Sequence, residues 1–481
     1  MQTPPAGGNG SRGAESLLDA SAWLLLNRGM QLKPFQISRR SFVKSTAAAA
    51  AAAGLPLWFF EREQAVAADA AAGEGTPAPN DRPGLAVIGC GGRGLGVALE
   101  AASYGEMRVV CDVDDRHAEQ AVAQFKKRNM NPETVHDFRK VMERDDIHII
   151  INGTPDHWHT LVNLAAARAK KDIYSEKPLT LTLDEGRRLV KAVRENKVVL
   201  QTGTQQRSDA KFRLACELVR NRRIGRLQTI TVWLPAGLRG GPFQPSPVPA
   251  GLDWDFWQGQ APATEYVKER CHTTFRYFLE YSGGTITDWG AHHNDIAFWA
   301  TGFKGPSEVS GKVLVQPIPG GYTAPSEYEV LFTYPDGVRH LIKTTKDDNI
   351  FGGVVNPQGQ RNGIRFEGAD GWIWVRRGQL EASDEDLITT PLPAGAERLY
   401  VSNDHMRNFF DCVRTRKDPI CDVETGHRSA SECHLAQISL RLGRTLKWDA
   451  DREQFTGEGA GEANTHLARE MRKPYDYSFI G

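Results

Sequence analysis

The sequence predicts an α/β protein of two domains: a doubly wound parallel sheet of Rossmann type, then an α/β domain built on a sheet of its own. Three observations carry this. Apolar runs of strand length alternate with segments of helical spacing over residues 84–205, the signature of a parallel sheet with crossover helices. A glycine-rich turn directly follows the first of those runs. From residue 206 to about 450, long strand-like stretches dominate and helical ones are fewer, which suits a sheet with helices on one side.

Residues 1–29 lack an order-forming pattern and read as an extension outside the natural chain, with Met30 as the real start. From there "MQLKPFQISRRSF" leads into Arg39 and Arg40 within Ser-Arg-Arg-x-Phe-x-Lys. That frame resembles a twin-arginine translocation signal, with the apolar run 47–60 and the small-residue site "AVA" at 65–67 completing a signal over residues 30–67. The run 47–60 is too short and alanine-rich for a membrane span, which needs roughly 20 apolar residues. The signal is therefore an address, with the twin-arginine export machinery as partner and the periplasm, or another exported location, as destination. Residues 68–83 are an Ala/Gly/Pro-rich linker. What remains, roughly 400 residues, suffices for two sizeable cores.

The formal net charge of +0 gives no long-range field for nucleic acid or anionic membrane, so a small-molecule partner is expected. Seven scattered cysteines without a C-x-x-C pair argue against a disulfide framework. Free thiols suit a chain folded in a reducing cytoplasm before export.

Within the first domain "LAVIG", "MRVVCDV", "IHIIING", "DIYS" and "VVLQTG" read as strands. "GVALEAAS", "RHAEQAVAQFKKR", "HTLVNLAAARAK" and "LDEGRRLVKAVREN" read as the helices between them. Gly89, Gly91 and Gly94 form G-x-G-x-x-G after the first strand, where absent side chains admit a pyrophosphate to a helix amino terminus. Gly92 and Arg93 belong to the same loop. Asp112 ends the second strand, placed to bind the adenosine ribose, so NAD is favoured over NADP. Asp114 can share that role, and Arg116 keeps NADP open.

Thr154 and Pro155 in "GTPDHWH" and Glu176 and Lys177 in "SEKPL" stand at carboxyl ends of strands, beside the expected cofactor. Asp156, His157 and His159 admit a metal cluster or, more simply, a helix start. No C-x-x-C or H-E-x-x-H spacing supports a metal, and none is expected. His159 is assigned to the cofactor side.

The glycine loop, "TPDHWH", "EKPLTLTLDEG", "GTQQRS" and "GGTITDWGAHHNDIAFW" together resemble the Gfo/Idh/MocA oxidoreductases, over residues 85 to about 448. That family includes glucose-fructose oxidoreductase and inositol dehydrogenases. The resemblance implies a second domain with a large open, mostly antiparallel sheet, assembly as a dimer or tetramer, and hydride transfer between a nicotinamide dinucleotide and a sugar or polyol. It places Lys177, Asp288 and His292 in the active site. His292 is chosen over His293 by its spacing from Asp288, and four residues put the two on one face if "DWGAHHNDIAFWA" is helical.

Alcohol oxidation needs a base for the hydroxyl proton, and a histidine suits that role. Lys177 can stabilise charge on the reacting oxygen. Gln205, Arg207, Arg276, Tyr281 and His293 are candidate substrate contacts. In the Gly/Pro-rich segment 235–262 lies "WDFW", whose Trp254 and Trp257 either stack on sugar faces or anchor the loop to the core. An exported family member carries its dinucleotide across the membrane, which implies a tightly bound cofactor regenerated in place. Paired sugar substrates do this, and so does a redox-neutral NAD-dependent glycosidase, for which Tyr281 or His159 is a candidate second base. A silent sugar-binding protein is a third reading. The aromatics at 474–479 belong on the first domain or on another subunit.

Overall fold

The protein is described by a computed structural model over residues 46, 48–72, 82–302, 305–344 and 362–481. The twin arginines, residues 1–29 and most of the linker lie outside the described residues.

The first sheet has six strands: β1 (Gly84–Ile88), β2 (Glu106–Cys111), β3 (Glu133–Val135), β4 (Ile149–Asn152), β5 (Asp172–Ser175) and β6 (Leu200–Thr202). Its order is β3-β2-β1-β4-β5-β6, with every pair parallel. β1, β4, β5 and β6 are buried along their whole length, as continuous apolar runs with helices on both faces require. The short edge strand β3 has no alternating pattern and was not foreseen. An amino-terminal helix α1 (Leu57–Ala72) precedes this domain. Within it, α2 (Gly92–Ala101), α3 (Asp115–Lys126), α4 (Asp156–Arg168) and α5 (Leu183–Asn196) are the longer crossovers, and a five-residue helix, Phe138–Met142, lies between β3 and β4. α5 carries a complete capping box between Thr182 and Glu185.

The second sheet has nine strands in the order β13-β12-β11-β7-β10-β9-β8-β14-β15. They are β7 (Leu227–Leu234), β8 (Glu308–Val315), β9 (Glu327–Thr333), β10 (Arg339–Thr344), β11 (Gly363–Gly368), β12 (Gly371–Arg376), β13 (Gln379–Ala382), β14 (Thr445–Asp449) and β15 (Gln454–Thr456). Only β7 and β10 run parallel; the other pairs are antiparallel. Burial alternates along β9 and β10, because one face carries α6 (Ala210–Arg220), α7 (Thr285–Thr301) and a later helix of residues 423–442.

Two segments cross back. α8 (His405–Thr415) places Met406, Phe409 and Phe410 in the core of the first sheet, and α9 (Val423–Leu442) then returns to the second. The carboxyl tail also lies on the first domain, where Tyr475 is buried and the Arg139 guanidinium stands 3.9 Å over the Phe479 ring. α1 is part of the second domain's core: Phe59 is fully buried beside Phe212 and Leu214. No helix among the described residues is long and apolar enough to cross a membrane. All seven cysteines are buried and unpaired.

Candidate active site

The turn from β1 into α2 is built by close backbone approach. Gly89 has φ +80°, and a Cβ on Gly94 would lie 1.9 Å from the Gly89 carbonyl oxygen. Gly91 caps α2 with no side chain, and a Cβ on Gly92 would meet nothing within 4 Å, so the helix amino terminus is open to a ligand. Asp112 is fixed by its neighbours: Oδ2 accepts from the Cys90 N–H at 2.6 Å and Oδ1 from the Asp114 N–H at 2.9 Å. A cavity of about 300 Å³ is lined by Gly89, Gly91, Gly92, Arg93, Gly94, Asp112, Thr154 and Pro155. These groups fit a dinucleotide: unobstructed helix N–H groups for phosphate and an oriented carboxylate for ribose hydroxyls. Gly94→Ala is therefore expected to weaken NAD binding at least about tenfold, measured by fluorescence titration of the folded variant. Unchanged affinity would disprove this account of the loop.

A second cleft, about 760 Å³, shares Arg93, Gly153, Thr154 and Arg276 with the first cavity. Glu176, Lys177, Gln205, Asp288 and His292 line it. Lys177 extends from the end of β5, and its Nζ donates to Asp288 Oδ1 at 2.5 Å and to the Asp288 carbonyl at 2.9 Å. Arg276 Nε stands 3.6 Å from the same oxygen. Burial works against the Asp288 carboxylate, yet Lys177 and Arg276 outweigh it and hold its pKa below the ordinary value. His292 lies one helical turn on, 7 % exposed, and its buried Nδ1 has no hydrogen-bond partner among the described residues. Burial, then the Lys177 cation, pushes its pKa well below that of a free histidine, so the ring is neutral at pH 7. Glu176 accepts from Arg93 Nε at 2.8 Å and from Gln205 Nε2 at 3.3 Å, which ties the two clefts together.

Four expected substrate contacts sit elsewhere. Arg207 forks onto Asp295 at 2.7 and 2.8 Å, both side chains buried. His293, one residue past His292, turns about 100° around α7 into the core, where Nε2 meets Asn362 Oδ1 at 3.2 Å. Tyr281 is fully buried against Trp257 and His157. Trp254 stacks on Trp257 at 5.0 Å, and its Nε1 donates to the Thr264 carbonyl, so it anchors the loop. Phe256 and Trp257 of that loop face the cofactor cavity instead.

His159 lines the second cleft, with Nδ1 2.6 Å from the Pro178 carbonyl oxygen and Nε2 2.9 Å from that of Thr154. His157 Nε2 meets the Trp257 carbonyl, so these imidazoles face backbone oxygens rather than one another. A different trio, Asp114, His117 and His272, brings its ligand atoms within 4.8 Å of one another, but Arg116 already occupies Asp114 Oδ2 at 3.0 Å.

Three other residues of this wall bear on the cleft. Tyr277 lies in a short helical turn. Arg377, in the turn between β12 and β13, stands 5.1 Å over the Trp289 ring. Asp156, first residue of α4, is buried with its pKa raised by burial and is hydrogen-bonded by Ser282 Oγ. An arginine or tyrosine in a turn carries no local signal; Asp156 stood in a motif that was read, but as a helix start.

A glycine-loop dinucleotide cavity opening onto a lysine–aspartate–histidine cleft defines an NAD-dependent oxidoreductase. Residues 84–204 match the family model described as the oxidoreductase family's NAD-binding Rossmann fold, and residues 237–477 match that family's C-terminal alpha/beta domain. The chain belongs to the Gfo/Idh/MocA oxidoreductase family. Residues 36–56 match the twin-arginine translocation signal, the address for export by that pathway. The uncharacterized oxidoreductase YrbE of Bacillus subtilis is 37 % identical over 318 residues, 64 % of this chain and 80 % of that protein. Levoglucosan dehydrogenase of Pseudarthrobacter phenanthrenivorans is 29 % identical over 300 residues, 58 % of this chain and 68 % of that one. The WlbA dehydrogenase of Bordetella pertussis, solved with NADH and UDP-GlcNAcA, shares the fold: TM-score 0.57 at 18 % identity, over 76 % of this chain and 99 % of that one.

Proposed function

We propose that the exported protein oxidises a secondary alcohol of a sugar, polyol or sugar derivative and keeps its NAD(P) bound between turnovers. The observation that carries this is the shared wall of the two clefts, which brings Lys177, Asp288 and His292 against the dinucleotide cavity. When bound, the dinucleotide accepts hydride from carbon. Lys177 Nζ donates to the substrate oxygen and stabilises the charge that grows there. His292 is neutral and lines the cleft, and so can take the hydroxyl proton. Asp288 holds Lys177 in place. The carbohydrate substrate is supported by the levoglucosan dehydrogenase relative and by the sugar nucleotide in the WlbA dehydrogenase.

Tight binding follows from the address: outside the cytoplasm a released dinucleotide is not replaced, so each reduction must be reversed in place by a second carbonyl substrate. The redox-neutral glycosidase cycle meets the same need, but the two nominated bases do not favour it, since the Tyr281 hydroxyl is buried and both His159 nitrogens face carbonyl oxygens. The less covered face of the nine-stranded sheet suits assembly into a dimer or tetramer. The test is to purify the exported protein without added cofactor, denature it and quantify the nucleotides by mass spectrometry. About one dinucleotide per chain is expected; an empty protein would overturn tight binding and leave the dehydrogenase reading to be tested by turnover with added NAD.

A further inference from the structure

We propose that the signal peptide is cut at the Ala53–Gly54 bond, and that the helix α1 after it, with Phe59 and Glu63, remains in the exported protein as a structural element. The small-residue site at 65–67 is then not a processing site. Three sets of contacts support this.

The first is packing. Phe59 is fully buried in the second domain's core, and Trp58 Nε1 donates to the Ile388 carbonyl at 3.1 Å. The second is charge. Arg213 is fully buried, and its carboxylate partner is Glu63 of α1; among the described residues its other hydrogen bonds go to the Ser402 carbonyl and the Asn403 side chain. Arg62 adds an ion pair to the buried Glu217 at 2.9 Å. A cut after Ala67 removes Phe59 and strands the Arg213 guanidinium without its carboxylate, the costly way to break a buried pair. A cut at Ala53–Gly54 removes neither.

The third is accessibility. Ala65, Val66 and Ala67 lie within α1, whose backbone is helical from Leu57 to Ala72. Processing proteases need locally opened, exposed backbone. Ala51, Ala52 and Gly54 are exposed, Ala53 between them is half-buried with its carbonyl accepting from Lys211 Nζ at 2.5 Å, and the preceding helical stretch ends there in a turn, with Gly54 at φ +60°. Ala51 and Ala53 give the small residues at the two positions a signal peptidase reads. The signal match, which ends at residue 56, closes just before α1 begins. In the step itself, a membrane peptidase adds water across the Ala53–Gly54 amide. The carbon–nitrogen bond breaks, leaving a carboxylate on Ala53 and a new amino group on Gly54.

The test is the intact mass of the full chain after expression in a host with the twin-arginine pathway. The expected exported species begins at Gly54 and retains Glu63. A species beginning at Ala68, or an exported chain that was never cut, overturns the proposal. Two variants separate the sites: Ala53→Leu is expected to accumulate precursor, while Ala67→Leu is processed like the unsubstituted chain. The reverse pattern overturns it.

Discussion

Lys177→Ala is expected to lower kcat about 10³-fold, the scale of losing a group that stabilises charge on a reacting oxygen, while NAD affinity stays within about threefold. The split follows from where Lys177 points. Its Nζ is directed at Asp288, away from the glycine loop and Asp112 that fit the phosphates and ribose. The loss should therefore appear in turnover rather than in cofactor binding. Lys177→Arg is not expected to restore the rate, because a planar fork cannot replace a compact ammonium that donates at once to Asp288 Oδ1 and to the Asp288 main-chain carbonyl. A second consequence concerns His292, whose pKa is pushed down first by burial and then by the Lys177 cation. Removing the cation raises it, so the acid limb of any residual activity moves to higher pH. Stopped-flow reduction of bound NAD with substrate measures the rate, and a pH profile of the variant measures the shift. If Lys177→Ala instead loses NAD affinity and keeps kcat, Lys177 is a cofactor ligand and the catalytic assignment fails.

How far the sequence could be read depends on whether a signal is local. The strands of the first domain are continuous apolar runs because helices bury both faces, and all five expected strands exist with ends shifted by at most two residues. The glycine spacing was legible because the backbone approaches at Gly89 and Gly94 leave no room for a side chain. Asp288 and His292 were legible through the family resemblance, and the four-residue period of α7 chose His292 over His293. The losses fall where partners are distant in sequence. β14 and β15 are short strands that exist through pairing, β14 onto β8 and β15 onto β14. α9 is buried almost all round, so it lacks the polar stripe that marks a surface helix. Arg207 looked like a substrate contact because nothing near it in the chain shows that Asp295 will meet it. Arg377 reaches the cleft only after the second sheet has formed, so a turn arginine gave no warning.

Acidification from pH 7.5 to 5.5 is expected to destabilise the protein by on the order of 5 kcal/mol. The cause is a set of buried, neutral histidines. Burial pushes His157, His340 and His434 down to about 3, and His293 and His405 to about 4. His292 is depressed in the same direction. Their hydrogen bonds fit neutral rings: His157 Nε2 donates to the Trp257 carbonyl, and His405 Nε2 to that of Thr202. In the unfolded chain these rings take up protons near pH 6.5, whereas folded they do not until far lower pH. The unfolded state thus binds more protons across that window, so stability is full above about pH 6.5 and falls as pH drops toward the folded values. Each ring contributes roughly 1 kcal/mol per pH unit within it.

Two groups oppose the trend. Glu432, raised to about 7 by burial, gives stability that is present below its unfolded value near 4.5 and fades as pH rises toward 7. His117, raised by its hydrogen bond to Asp112, acts the same way around its own range. The depressed histidines, with His272 and His466 lowered in the same direction, outweigh these groups and leave the sign unchanged. Urea midpoints at the two pH values measure the effect, and a flat profile would show that these rings are charged or solvated in the folded protein. His434→Gln supplies the residue-level check: with one depressed histidine gone, the pH slope should fall by about one proton, whatever the substitution does to stability at pH 7.5.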